Sequence, residues 1–83
     1  MYYTYIAQCN DDTLYTGITT DVARREKEHN GILPGGARYT RTRRPVSIVY
    51  VKEFDDRARA SQEEHRIKKL TRVQKNILIQ ETC

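Results

Sequence analysis

The chain has 83 residues, 37% of them hydrophobic and 31% charged, and carries a formal net charge of +4 from 15 Lys and Arg against 11 Asp and Glu. That size allows one domain with a modest core, and six tyrosines with several Ile/Val/Leu runs exclude a disordered chain. Cys9 and Cys83 lack metal-ligand spacing, and no leader-like stretch or apolar run of about 18 residues is present, so neither a zinc centre, a disulfide framework nor a membrane span is expected, and the location expected is cytoplasmic.

Tyr2 to Cys9 (YYTYIAQC) is aromatic and β-branched, the composition of a strand. Asn10-Asp11-Asp12 is a turn signal, and Thr13 to Thr19 (TLYTGIT) reads as the second strand of a hairpin. A turn centred on Asn10-Asp11 makes Tyr5 and Tyr15 approximate cross-strand partners, and alternation puts Tyr5 on one face with Tyr3 and Ala7. Thr20 or Asp21 can cap a short helix that runs to about His29, where Asn30-Gly31 supplies a stop. Arg25 and His29 share a face of that helix, with Glu26, Lys27 and Glu28 as solvated neighbours.

Gly31 to Arg44 reads as a flexible basic segment around Pro34-Gly35-Gly36, holding Arg38, Arg41, Arg43 and Arg44 with Tyr39 among them. Val46 to Phe54 is a third strand, continuous enough in apolar character to be largely buried. Asp55-Asp56 starts a helical stretch from Arg57 to about Gln80, with a break at Thr71 and apolar positions Ala60, Ile67, Leu70, Ile77 and Leu78. A second basic group, Lys68, Lys69, Arg72 and Lys75, lies on it. There is no repeat, low-complexity tract or linker. The expected fold is α/β (α+β), a three-stranded, mainly antiparallel sheet flanked by helices in the order ββα(α)βαα.

Taken singly, the polar residues have ordinary readings: half-buried strand tyrosines, solvated charges on a helix, and exposed glutamates. Glu63 and Glu64 both border the Ala60–Ile67 stripe, and periodicity does not choose between them. Taken together, these types suit metal-assisted phosphodiester cleavage. A hard divalent ion needs only one or two carboxylates, with water and phosphate completing its shell. A fixed guanidinium stabilises charge developing on a phosphoryl group. A phenol, with a pKa of about 10, needs a neighbour that takes its proton.

Thr4-Tyr5-Ile6, then Tyr15-Thr16-Gly17, then Arg25 and His29, together resemble the GIY-YIG nuclease family. The runs YTYIAQC, LYTGITTDVARREKEHNG, GGARYTRTRRPVSIVY and EHRIKKLTRVQK follow in order the pattern of its small stand-alone bacterial members. The structure-specific SLX-type endonuclease domain looks similar. The first motif lacks the name-giving glycine and the second has Thr16 where Ile is usual; Asn76 is not a convincing match to the asparagine of some members.

The resemblance implies a central three-stranded antiparallel sheet flanked by helices and a single divalent ion, Mg²⁺ or Mn²⁺. By the same resemblance Tyr5 is the general base or its relay, Tyr15 positions water or phosphate, and Gly17 lets the backbone pass close beneath the site. Arg25 would neutralise the scissile phosphate and His29 would help deprotonate Tyr5. Glu64 would be the metal ligand, although distant relatives place that glutamate where Glu63 stands. The expected activity is a metal-dependent endonuclease on duplex or branched DNA from residues 1–83 as a single domain, with little sequence specificity of its own. Arg38, Arg41, Arg43, Arg44, Lys68 and Lys69 are expected to touch phosphates. The alternatives are a non-catalytic nucleic-acid-binding module on the same fold and a protein-interaction domain.

Overall fold

The computed structural model describes residues 1–81. Cys83 lies outside the described residues, and Cys9 is a buried free thiol. The elements in chain order are β1 (Tyr2–Gln8), β2 (Leu14–Thr19), α1 (Val22–His29), the single turn α2 (Arg38–Arg41), β3 (Ser47–Phe54), α3 (Arg57–Lys68) and α4 (Arg72–Glu81). The sheet is antiparallel throughout, in the order β2-β1-β3.

The hairpin turn pivots on Asp11. Cys9 N donates to Thr13 O at 2.9 Å, Asp12 takes a left-handed φ of 66°, and the Asp11 carboxylate accepts from the Thr13 hydroxyl at 2.6 Å. This corrects the expected register: Tyr5 lies opposite Gly17, and Tyr15 opposite Ala7. Because a two-residue offset preserves side-chain facing, the two tyrosines still share a face as diagonal neighbours, with ring centroids 6.4 Å apart.

β1 is central, so its two faces carry the core. Tyr5, Ala7, Cys9 and Val46 form one cluster, with Tyr15 and Ile48 packed on it. Ile6, Tyr50 and Ile67 form the other, joined by Leu14, Val49, Leu78 and Ile79. A register shift in β3 opposite Ile6 and Ala7 explains why Ile48 and Tyr50, two residues apart, serve opposite faces. The expectation that the third strand is largely buried does not hold. β3 is an edge strand, only Tyr50 in it is buried, and Val51 is 42% exposed.

Asp21 and Asp56 cap α1 and α3 by accepting from Arg24 N at 3.0 Å and Arg59 N at 2.8 Å. α3 lies close on the sheet at Ala60, whose carbonyl accepts from the Thr4 hydroxyl at 2.7 Å. The break near Thr71 is a reciprocal cap: Thr71 N donates to Gln74 Oε1 at 2.9 Å, and Gln74 N to Thr71 Oγ1 at 3.2 Å.

The basic segment is tied down rather than flexible. The Asn30 side chain bonds both backbone groups of Val46, at 2.6 and 2.8 Å, and Asn10 N donates to Arg43 O at 2.9 Å. Gly36 runs against the backbone of Glu28 so closely that a Cβ there would collide with the Glu28 carbonyl oxygen.

Candidate active site

Tyr5 is 1% exposed, yet its hydroxyl has two polar partners. It lies 2.7 Å from His29 Nε2 and accepts from Arg25 Nε at 3.2 Å. The ring reaches them by passing over Gly17, its cross-strand partner, where a methyl group would stand 2.6 Å from the hydroxyl oxygen. Gly17 is therefore required by the phenol's path across the sheet rather than by any unusual dihedral angle.

α1 aims the other two groups. Arg25 and His29, one helical turn apart, point inward, and His29 is the only fully buried residue of the helix. Arg25 Nη1 donates to Glu28 Oε1 at 2.9 Å and to Gly35 O at 2.8 Å. Its Nε is held by Tyr5, which leaves Nη2 without a partner among the described residues. Tyr15 packs edge-on against His29 with centroids 5.3 Å apart, and Tyr39 stacks on Tyr15 at 5.8 Å. Tyr5, Tyr15, Arg25 and His29 thus share one site.

Hydrogen-bond arithmetic fixes the protons. Thr40 Oγ1 donates to Ala37 O at 3.0 Å, so toward His29 Nδ1, 2.8 Å away, it can only accept. Nδ1 therefore carries the proton, Nε2 is bare, and Tyr5 donates to it. Burial, reinforced by the charge of Arg25, lowers the His29 pKa to about 4 and keeps the ring neutral. Burial pushes Tyr5 up to about 12; Arg25 opposes the rise, and the charges of Tyr15 and Glu64 add to it.

The two glutamates part company. Glu63 is buried, accepts from Tyr50 Oη at 3.0 Å, and is gripped by the Arg66 fork at 2.7 and 2.8 Å. The Arg66 bonds hold its pKa down, against burial. Among the described residues Glu64 pairs only with Lys68, at 3.2 Å, and its charge bears on Tyr5, which places it within electrostatic range of the phenol.

Among the described residues no three His, Cys, Asp or Glu side chains gather as a metal-binding group. The donor set does not fit a tetrahedral zinc centre. It does fit a hard ion such as Mg²⁺, which keeps most of its water, takes one or two carboxylates and accepts phosphate oxygens.

The basic residues divide by their bonds. Arg38 and Arg41 are exposed in α2, with side chains that have no partner among the described residues, and Lys69 is exposed at the end of α3. Arg44 donates to His29 O at 2.8 Å, and Arg43 lies 4.2 Å over the Tyr39 ring and 3.1 Å from Asp11. These two brace the site from behind. Glu26 and Glu28 are not the solvated filler expected of them: Glu26 accepts from Ile48 N at 2.9 Å, and Glu28 pairs with Arg24 and Arg25. Thr40 gives no sequence signal because the RYTRTRR run is dominated by charge, and Gly35 gives none because Pro34-Gly35-Gly36 reads as a turn.

The model of the GIY-YIG catalytic domain matches residues 1–76. The chain belongs to the GIY-YIG family. Its relatives include a UPF0213 protein of Desulfotalea psychrophila, 53% identical over 94% of this chain and 70% of that protein, and one of Haloquadratum walsbyi, 50% identical over 96% and 88%. The solution NMR structure of a UPF0213 protein from Bacillus halodurans is 41% identical, covers 96% of this chain and 84% of its own, and superposes with a TM-score of 0.60. The strand order and helix layout are those of the GIY-YIG fold, a nuclease-type architecture. No helix among the described residues is long and apolar enough to cross a membrane.

Proposed function

We propose that this GIY-YIG protein is a divalent-metal-dependent endonuclease that hydrolyses DNA phosphodiester bonds in the cytoplasm, with branched or distorted duplexes as substrates. The observation that carries the reading is Tyr5: a buried phenol donating to a neutral imidazole at 2.7 Å while accepting from a guanidinium at 3.2 Å. A core tyrosine needs one partner; this one has a proton acceptor on one side and an anion stabiliser on the other.

Arg25 Nη2 is the open hand for the scissile phosphate, its orientation fixed by Glu28 and Gly35. Glu64 would hold the ion, which when bound polarises the phosphoryl group and acidifies water. Tyr5 takes the proton of the attacking water as its own proton passes to His29 Nε2; the water oxygen bonds to phosphorus while the bond to the leaving oxygen breaks, and that oxygen departs with the electron pair and takes a proton from solvent. Burial holds the Tyr5 phenol protonated and the His29 ring neutral, so the Tyr5 proton does not pass to His29 until Tyr5 takes one from water. The two transfers are therefore concerted. A phosphate on Arg25 also offsets the charge that depresses His29, making the base stronger once substrate is bound.

The test is cleavage of labelled linear and branched DNA with Mg²⁺ or Mn²⁺. Nicking that Arg25→Ala or Glu64→Ala abolishes, with circular dichroism unchanged, is the expected result. Equal activity in the variants means a contaminating nuclease. Salt-sensitive binding without cleavage, indifferent to chelator, makes the protein a binding module instead.

A further inference from the structure

Beside the Tyr5 site lies a second concave surface that shares Arg25 and Glu28 with it. It is also lined by Arg24, Arg57, Tyr2 and Ile18. Its charge is unbalanced: three guanidiniums face one carboxylate, and Glu28 already serves both Arg24, at 3.4 Å, and Arg25, at 2.9 Å. Arg24 Nη2 also rests on the Thr20 hydroxyl at 3.3 Å.

The Arg57 side chain has no hydrogen bond or ion pair among the described residues, because the neighbouring Asp56 caps and pairs with Arg59, 3.7 Å away. It is the first residue of α3, the end where the helix dipole disfavours a cation. Helix stability therefore gives no reason for an arginine there. An anion in the groove does.

We infer that the groove is a phosphate subsite for the DNA backbone next to the phosphate held by Arg25, with Arg57 and Arg24 as its ligands. The proposal rests on the nuclease reading and adds the direction of the strand, from Tyr5 along α1 toward the start of α3. Tyr2 and Ile18 give the groove an apolar side against which a sugar or base packs. Arg57 and Arg24 make contacts of the kind that position the backbone without reading sequence.

Binding of the full chain to fluorescent duplex and branched DNA, measured in chelator across a salt series, tests this without cleavage. Each phosphate contact contributes about 0.9 to the slope of log K against log salt for duplex DNA. Arg57→Ala should flatten that slope by about 1, and Arg24→Ala with Arg57→Ala by about 2. Arg59→Ala removes the same charge from the same helix outside the groove and should leave the slope at the wild-type value. Arg57→Ala is a surface change at a helix start, so loss of folding will not mask the result. If Arg57→Ala behaves like Arg59→Ala while the wild-type protein binds and cuts DNA, the subsite is wrong and the nuclease reading stands. If the wild-type protein shows no salt-dependent DNA binding, both fall.

Discussion

Thr40 has a single hydroxyl proton, committed to the Ala37 carbonyl at 3.0 Å, so His29 meets only its lone pairs. That asymmetry fixes the tautomer and leaves Nε2 bare for Tyr5. Thr40→Val keeps the shape and removes the acceptor. A buried Nδ1–H is then unpartnered, at a cost of about 1–3 kcal/mol, and the ring gains by shifting its proton to Nε2. Two donors would then face each other across the Tyr5–His29 contact. The expected outcome is a lower Tm together with a kcat reduced by about 10- to 100-fold, with Thr40→Ser restoring both. A purely structural role would lower Tm and leave kcat alone. At Gly17, too, the limit is not the strand backbone but the phenol that crosses it.

At the scale of elements, the segment between α1 and β3 determines whether Arg25 is aimed. Gly35 O holds the guanidinium at 2.8 Å, and the next residue, Gly36, abuts the backbone of Glu28. Backbone on both sides leaves no flexible side chain to yield, so Gly36→Ala must push the segment off α1. The prediction is a loss of about 2 kcal/mol, or roughly 10 °C in Tm, with Arg25 released from Gly35 and cleavage falling with it. Thermal unfolding that matches wild type would show that the close approach is not needed. This segment also marks where the sequence stopped being legible. The strands, the caps Asp21 and Asp56 and the break at Thr71 are local signals, set by propensity and by side chains that bond their own backbone. Arg25 with His29 is visible in the sequence as a helical pair, and periodicity does not choose between Glu63 and Glu64. What distinguishes the two glutamates is in part tertiary: Tyr50 reaches Glu63 from β3, and Arg66, three residues on in the same helix, closes on it as well. The same is true of β3, whose apolar run suits a central strand but whose place at the sheet edge depends on pairing order. Pro34-Gly35-Gly36 reads locally as a flexible turn, and only the contact with Glu28 shows that the glycines serve close packing instead.

For the whole molecule, the buried ionisable groups shape how stability follows pH. His29 is neutral in the fold, with its pKa lowered from 6.5 to about 4, so the unfolded chain binds its proton more readily. That contribution is fully present above pH 6.5 and disappears as pH falls to about 4, amounting to about 3 kcal/mol. Glu63, held low by Arg66, also favours the fold, but its share is present above its ordinary 4.5 and is lost only in a more acid range. At the other end, Tyr5 and Tyr50 are raised from 10.0 to about 12, so their burial is stabilising below pH 10 and is progressively lost above it. Between those limits these four groups leave stability flat. Urea unfolding at pH 7, 5.5 and 4.5 isolates the histidine, because only its window spans that range. Wild-type protein should lose stability steadily across the three points, and His29→Gln, with no group to protonate, should lose much less whatever its starting value. A His29→Gln protein as acid-sensitive as wild type would assign the loss to surface carboxylates and remove the neutral, buried imidazole on which the proposed Tyr5 proton relay depends.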